Sequence, residues 1–394
     1  MLDPRDFIAR VQRVAGHKPS GLHEPVFAGN ERRYLAECID TGYVSSVGPF
    51  VAAFEDALQD YVGAKHAVAV VNGTTALHLA LVAVGVMPGD EVIVPAMSFV
   101  ATANAVSHAG AVAHFVDVDE ETWGIDPNTL RQRLGQIGQI RSGQLVNRET
   151  QRPIRAVVPM HALGHPVAIR ELIEVAQEFG VVLVEDAAES LGSFVGDRHT
   201  GVFGAVGVFS FNGNKTITTG GGGALVTEDE QLAHRLRHLS TTARLPHEYE
   251  FDHDQVAYNY RMPNINAALG LAQMEQLPGL VDLQRDLFDR YVESFAGSDF
   301  GSMRAETKDS TSNYWLQAIQ LPSRLAVFKD RLIAECVEVG LGVRPLWKPL
   351  NTLAPYAKSP TAPTPVTHEL YRRVICLPSS ASLASALKAP SPVP

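Results

Sequence analysis

Cysteine is nearly absent from this chain of 394 residues. Cys38, Cys336 and Cys376 lie far apart and form no C-x-x-C pair, which excludes a disulfide framework and a zinc knuckle. Charge is modest, at 19% of residues with a net of −10. That balance argues against nonspecific binding to nucleic acid or to an anionic membrane, while leaving room for a local pocket that takes a small anion. No apolar run approaches the roughly 20 residues of a membrane helix. The opening MLDPRDFIARVQRVAG is amphipathic through Phe7, Ile8, Val11 and Val14 but lacks the apolar core of a signal peptide. The expected location is the cytoplasm, with no membrane partner. Internal repeats and heptads are also missing, so neither a solenoid nor a coiled coil is expected.

What is present is an ordinary globular mixture, 45% hydrophobic, long enough for one large domain and a smaller one. Residues 29–40 and 50–61 read as helices, the first with Tyr34, Leu35, Cys38 and Ile39 on one face, the second with Phe54, Leu58 and Tyr61. Short β-branched runs then alternate with helical ones. Strands are expected at 66–71, 91–94, 111–116, 154–158, 181–184, 206–211 and 224–227, with helices at 76–84, 98–108, 168–179 and 231–239. This alternation predicts an α/β fold with a largely parallel, doubly wound sheet. Residues 135–152, rich in Gly, Gln and Arg, read as an exposed loop. Residues 245–254 have little periodicity and are expected at the surface or a subunit interface. A long helix is expected at 265–277. Beyond 282, helices mix with strands such as 318–320 in a second domain, and the tail Lys388–Pro394 is expected to be loose. The expected division is 1–245, a large domain with an N-terminal helical arm, and 246–394, a smaller α+β domain.

In open α/β sheets, ligands sit beyond the carboxyl ends of the strands. Three such ends carry chemistry. Asn72-Gly73-Thr74-Thr75 follows one strand and opens a helix, where free N–H groups and the helix dipole suit a phosphate; a plain helix capped by Thr74 or Thr75 fits the same residues. Asp186 follows another strand, as a ligand-facing acid or a helix cap. Lys215 lies in GVFSFNGNKTITTGGGG (Gly207–Gly223), between a buried strand and a glycine run that permits a tight turn. A loop lysine is ordinarily just solvated. Desolvated or beside another cation, its amine can form an imine with a carbonyl. Together the three groups match the needs of pyridoxal phosphate, which requires donors for its phosphate, a lysine for its aldehyde and a carboxylate for its ring nitrogen. Ser210 is a further phosphate donor or a small strand residue. Phe99 is a ring-stacking or a core aromatic.

The segments NGTTAL (Asn72–Leu77), EDAAES (Glu185–Ser190), FSFNGNKTITTGGGG (Phe209–Gly223) and YNYRMP (Tyr258–Pro263) resemble, in order and spacing, the DegT/StrS family of nucleotide-sugar aminotransferases. The resemblance runs from Leu22 to Ser380. VSSVGPFVAAFE, HALGHPV and NGNKTITTGGGG are most similar to the branch that makes UDP-4-amino-4,6-dideoxy-N-acetylhexosamines. It implies an aspartate-aminotransferase-like fold, pyridoxal 5′-phosphate as cofactor, and a homodimer with shared sites. By the resemblance, Lys215 binds the cofactor's aldehyde and Asp186 pairs with its ring nitrogen. Gly73, Thr74 and Ser210 hold the phosphate, Phe99 covers the ring, and Asn259 of a second copy reaches the phosphate. Glu189 stands where many relatives carry Gln. Ser46, His161, Tyr314, Trp347 and Lys348 are candidates for the sugar end, Trp347 equally a packing residue; Arg261 is an anion ligand or an interface ion-pair partner. The implied reaction moves an amino group from an amino acid, expected to be glutamate, to C4 of a 4-keto-6-deoxy nucleotide sugar. A transaminase acting at C3 and a noncatalytic cofactor-binding regulator are the alternatives. No metal site is expected. Gly164 and Pro166 rule out a helical pair of His161 and His165, and His247, Asp252, His253 and Asp254 would need a convergent loop.

Overall fold

The computed structural model describes residues 3–386; the tail Lys388–Pro394 lies outside them. The central sheet has seven strands: β1 (His66–Val70), β2 (Glu91–Pro95), β3 (Val112–Val116), β4 (Ile154–Val157), β5 (Val182–Asp186), β6 (Val206–Ser210) and β7 (Gly223–Thr227). Their spatial order is β1-β7-β6-β5-β4-β2-β3. The register is parallel throughout, except that β7 runs antiparallel to both its neighbours. Alternation within the strands explains the two buried faces. Val68, Val70, Val208 and Leu225 face the helices Gly73–Ala83, Val100–His108 and Glu230–Ser240. Ala67, Ala69, Phe209, Ala224 and Val226 face Pro49–Val62 and Asn264–Met274. Ile93, Val116, Val157 and Leu183 pack on Pro127–Ile137 and Ile169–Phe179. Both faces are covered, as a mostly parallel sheet requires.

A second sheet is antiparallel: β8 (Ser302–Met303), β9 (Gln317–Gln320), β10 (Arg344–Pro345) and β11 (Val374–Leu377), in the order β8-β9-β11-β10. Its core joins Ile319, Ile375 and Leu377 to Leu287 and Tyr291 of the helix Leu277–Phe295. Two packing relations cross the boundary expected after residue 245. Phe7, Val11 and Val14 of the first helix, Pro4–Ala15, are buried in this C-terminal core, whereas Ala267 and Ala268 belong to the core beneath the seven-stranded sheet.

Two expectations need correction. Residues 135–152 are not an open loop. The helix Pro127–Ile137 runs into a hairpin of Gly138–Arg141 and Gln144–Asn147. Ser142 and Gly143 both take positive φ, 49° and 78°, the conformation of a two-residue hairpin turn whose twist matches its strands. Leu145, Val146 and Asn147 are buried. The helix Glu31–Thr41 buries Cys38, but Ile39 is 67% exposed; the apolar face inferred for it is not a single core-facing stripe. Cys38, Cys336 and Cys376 are buried and unpaired. No helix among the described residues is long and apolar enough to cross a membrane.

Candidate active site

The strand ends meet at one edge of the central sheet, around a cavity of about 250 Å³. From β1 come Asn72, Gly73 and Thr74. From the connections after β2 and β4 come Phe99, Thr102 and Met160. β5 brings Asp186 and Glu189, and β6 brings Ser210 and Lys215. Because β7 runs backwards, its start lies at this same edge and supplies Gly221 and Gly222. The far wall, Trp315, Leu316 and Trp347, comes from the C-terminal part of the chain, and Leu22 from near its beginning.

The segment expected to seat a phosphate is a helix N-terminus. Asn72, rather than Thr74 or Thr75, caps it: its Oδ1 accepts from the Thr75 N–H at 2.8 Å. Amides of a first helical turn have no acceptor inside the helix, and Gly73 and Thr74, whose amides belong to that turn, line the cavity. Glycine is required at 73, since a Cβ there would sit 2.8 Å from the Ser210 Cβ. The glycine run serves close approach more than turning. Only Gly220 has positive φ, at 80°, while a Cβ on Gly223 would fall 2.5 Å from the Asn72 carbonyl carbon.

Asp186 is buried beneath the cavity. Its Oδ2 accepts from the Thr102 hydroxyl at 2.7 Å and its Oδ1 from the Ala188 N–H at 3.2 Å. Burial pushes its carboxyl up, and these two donors with Lys215 and His161 pull it back. Lys215 Nζ lies 3.1 Å from Glu189 Oε1 and 4.0 Å from the centre of the Trp315 ring, a cation–π contact. Glu189 Oε2 accepts from the Leu163 N–H at 2.9 Å. Burial pushes Glu189 up to about 7, against the opposing pull of Lys215. Phe99 is 48% exposed at the start of the helix Val100–His108 and lines the cavity, so it is no core aromatic. These residues fit pyridoxal phosphate: amide and hydroxyl donors where a Cβ has been dispensed with, a lysine in mid-cavity, a buried carboxylate and an exposed aromatic face.

Several candidates lie elsewhere. His161 does not line the cavity. Its Nε2 meets Glu185 Oε2 at 3.1 Å and its Nδ1 accepts from the Val167 N–H at 3.2 Å, so both nitrogens are committed inside the core. Tyr314 is buried behind the wall, stacked on Phe288 at 4.1 Å, with its hydroxyl accepting from the Glu306 N–H. Its neighbour Trp315 takes the place expected of it. Lys348 is exposed and outside the cavity, whereas Trp347 lines it. Ser46, Asn259 and Arg261 converge instead on a second, open pocket of about 550 Å³, with Arg244, His247 and His253. Thr102 and Trp315 escaped the sequence reading. Thr102 had a positional signal, standing in the first turn after a strand end. Trp315 had none beyond being next to Tyr314. Among the described residues no group of three or more His, Cys, Asp or Glu side chains is arranged to hold a metal ion.

This geometry agrees with what the chain is similar to. The model of the DegT/DnrJ/EryC1/StrS aminotransferase family matches residues 26–388. EpsN of Bacillus subtilis (strain 168), provisionally named a pyridoxal phosphate-dependent aminotransferase, is 36% identical over 93% of this chain and 92% of its own. The GDP-perosamine synthase of Caulobacter vibrioides is 36% identical over 92% of this chain and 93% of its own. The crystal structure of DesI with its TDP-sugar product superposes with a TM-score of 0.80, at 28% identity, over 94% of this chain and 91% of that one. With Lys215, Asp186 and the Gly73–Thr74 helix start at one sheet edge, the chain belongs to the DegT/DnrJ/EryC1/StrS aminotransferase family and is a pyridoxal phosphate-dependent sugar aminotransferase.

Proposed function

We propose that this enzyme transfers the amino group of an amino acid, L-glutamate, to C4 of a 4-keto-6-deoxy nucleotide sugar, and that the sugar is a UDP-linked N-acetylhexosamine. The observation that carries the reading is the convergence of Lys215, Asp186 and the Gly73–Thr74 helix start in one cavity. Pyridoxal phosphate, when bound, supplies the electron sink and carries the amine between the two substrates. The rest is the work of this chain. Gly73, Thr74 and Ser210 bind the phosphate. Asp186 presents a carboxylate to the protonated ring nitrogen, a charge-assisted pair. Phe99 covers the ring and excludes water. Lys215 Nζ holds the aldehyde carbon at rest, takes the α-proton from the amino acid as general base, and returns a proton to C4 of the sugar as general acid. Trp315 and Trp347 form the wall facing the sugar.

The likeness to a GDP-perosamine synthase supports C4, where perosamine carries its amine. It also makes a GDP-linked sugar the main competitor, and C3 remains the rival position. A second copy of the chain would bring Asn259, with Ser46, to this cavity, which gives the homodimer a catalytic purpose; we propose cytoplasmic action and a division into residues 1–245 and 246–394 as part of the same reading. The test is a panel of UDP-, dTDP- and GDP-linked keto sugars incubated with glutamate, with NMR of the product. A 4-amino UDP-sugar together with 2-oxoglutarate is expected. Amination at C3, or exclusive use of another nucleotide, contradicts the finer reading. No keto acid from any pairing contradicts the glutamate donor.

A further inference from the structure

Two buried acids face one lysine in this cavity, and their surroundings differ. Both Asp186 oxygens are occupied, by the Thr102 hydroxyl and the Ala188 N–H. Glu189 has one oxygen on the Leu163 N–H, and its Oε1 meets only Lys215 Nζ, at 3.1 Å. The other side of Nζ is the Trp315 ring at 4.0 Å. That ring is fixed in turn: its Nε1 donates to the carbonyl of Asn214, one residue before the lysine, at 2.6 Å, and its backbone N–H donates to Asn313 Oδ1 at 2.9 Å. Asn313 Nδ2 donates to the carbonyls of Glu189 and Leu191. Acid, lysine and indole are therefore tied into one unit. The lysine side chain is 11% exposed and that of the acid 2%, so water cannot readily replace either partner. The other groups facing the pair are Asp186, whose charge opposes ionisation of Glu189, the buried thiol of Cys376, and His23, which senses the charge of Lys215.

We infer that Glu189 is a positioning residue for Lys215: its carboxylate holds the lysine as an ammonium ion against the Trp315 ring and receives that ion's proton when the amine is set free. The transfer balances between the two side chains, an Nζ–H bond breaking as an Oε1–H bond forms, with no other reactant. Two carboxylates thereby take separate roles, Asp186 held by its two donors beneath the cavity for the cofactor ring and Glu189 exchanging a proton with the lysine. Burial and the nearby Asp186 charge raise Glu189 to about 7, which makes its carboxylate a stronger proton acceptor than an exposed glutamate.

The inference rests on the transaminase reading but can fail separately from it. In full-length protein freed of cofactor, reductive methylation of Lys215 by formaldehyde with cyanoborohydride reads the free amine, residue by residue in a mass spectrometer. An opposite charge within hydrogen-bonding reach favours the charged form by one or more pH units. Glu189→Gln should therefore move the Lys215 profile to lower pH and raise its methylation at neutral pH by about tenfold. Exposed Lys18 and Lys358 serve as internal references that should not move. Glu189→Asp keeps the charge but shortens the reach, and should shift the profile the same way by less. It decides the matter should the Gln variant not fold. Superimposable Lys215 profiles, or a shift to higher pH, overturn the inference. Conversion of glutamate to 2-oxoglutarate by the loaded wild-type enzyme tests the underlying reading independently.

Discussion

Two pockets of this chain, the sheet-edge cavity and the one lined by Asn259, differ in completeness. Around the sheet-edge cavity the acids are matched: Asp186 has Thr102 and Ala188, Glu189 has Lys215 and Leu163, and Lys215 has Trp315 as well. The pocket of Ser46, Asn259 and Arg261 is larger and open. There the buried Arg261 Nε has no partner, the Arg244 guanidinium rests on the Phe251 ring at 3.9 Å, and Tyr43, Val47 and Phe251 expose large apolar surface close by in the chain. The first pocket is organised by one chain alone. The second has the features of a surface that finishes its contacts against another molecule, since exposed apolar side chains rimmed by polar ones mark interaction sites. The sequence motif that groups Asn259 with Lys215 and Asp186 thus spans two places in one subunit, and a second copy is what we propose brings them together.

Experiments can break this contrast in order of size. Lys215→Ala should abolish the visible absorption of the bound cofactor and nearly all turnover, a loss beyond about 10⁴-fold. Amino transfer at the wild-type rate would remove the first pocket from the chemistry. Mixing Lys215→Ala with Asn259→Ala subunits should restore up to about a quarter of wild-type activity, because half the dimers of a random mixture carry one site with both residues intact. A mixture as inactive as its parents would mean that the second pocket completes nothing. Asp186→Asn should lower turnover by about 10²–10³-fold, in the range found for removing one preorganised electrostatic partner, with the cofactor still bound by its phosphate. Thr102→Val should cost about 1–3 kcal/mol of stability, the usual effect of orphaning a buried polar partner, and slow turnover less than Asp186→Asn does; calorimetry and steady-state kinetics would read both.

The smallest effect concerns pH. Glu189 is raised from 4.5 to about 7 in the folded chain. The folded state therefore binds this proton more tightly than the unfolded one. The resulting stability is fully present below the unfolded value and is lost as pH rises through about 7. Melting of the cofactor-free protein should show this loss, and Glu189→Gln should flatten it between those limits. Equal pH slopes in the two proteins would argue against a shifted Glu189.

Much of the fold and of the site is legible in the amino-acid sequence, for a physical reason. Strands buried on both faces must be apolar runs, so HAVAVV, VVLV and GVFSF stand out, and the residues directly after such runs lie at the ligand-binding edge. Asp186, Lys215, Gly73, Thr74 and Ser210 are singled out by that route, and all five line the one cavity. Residues whose roles depend on tertiary direction are less legible. Tyr314 and Trp315 are adjacent and both aromatic, yet at a backbone turn with positive φ at Tyr314, 49°, the indole lines the cavity while the phenol stacks on Phe288. His161 looks available in sequence, yet Glu185 and the Val167 amide hold it in the core. The hairpin at 138–147 is hidden by its Gln and Arg content, although Ser142-Gly143 is a workable turn signal. The exposure of Ile39 has no counterpart in helical periodicity, because periodicity reports which residues share a face and not what covers that face.

The central claim is that Lys215 is the residue that holds the cofactor, and one measurement reaches it directly. The cofactor-loaded enzyme is reduced with borohydride, digested and mapped by mass spectrometry. The account predicts a phosphopyridoxyl group on Lys215, with the other lysines unlabelled. A label on a different lysine, with Lys215 unmodified in active enzyme, would contradict it.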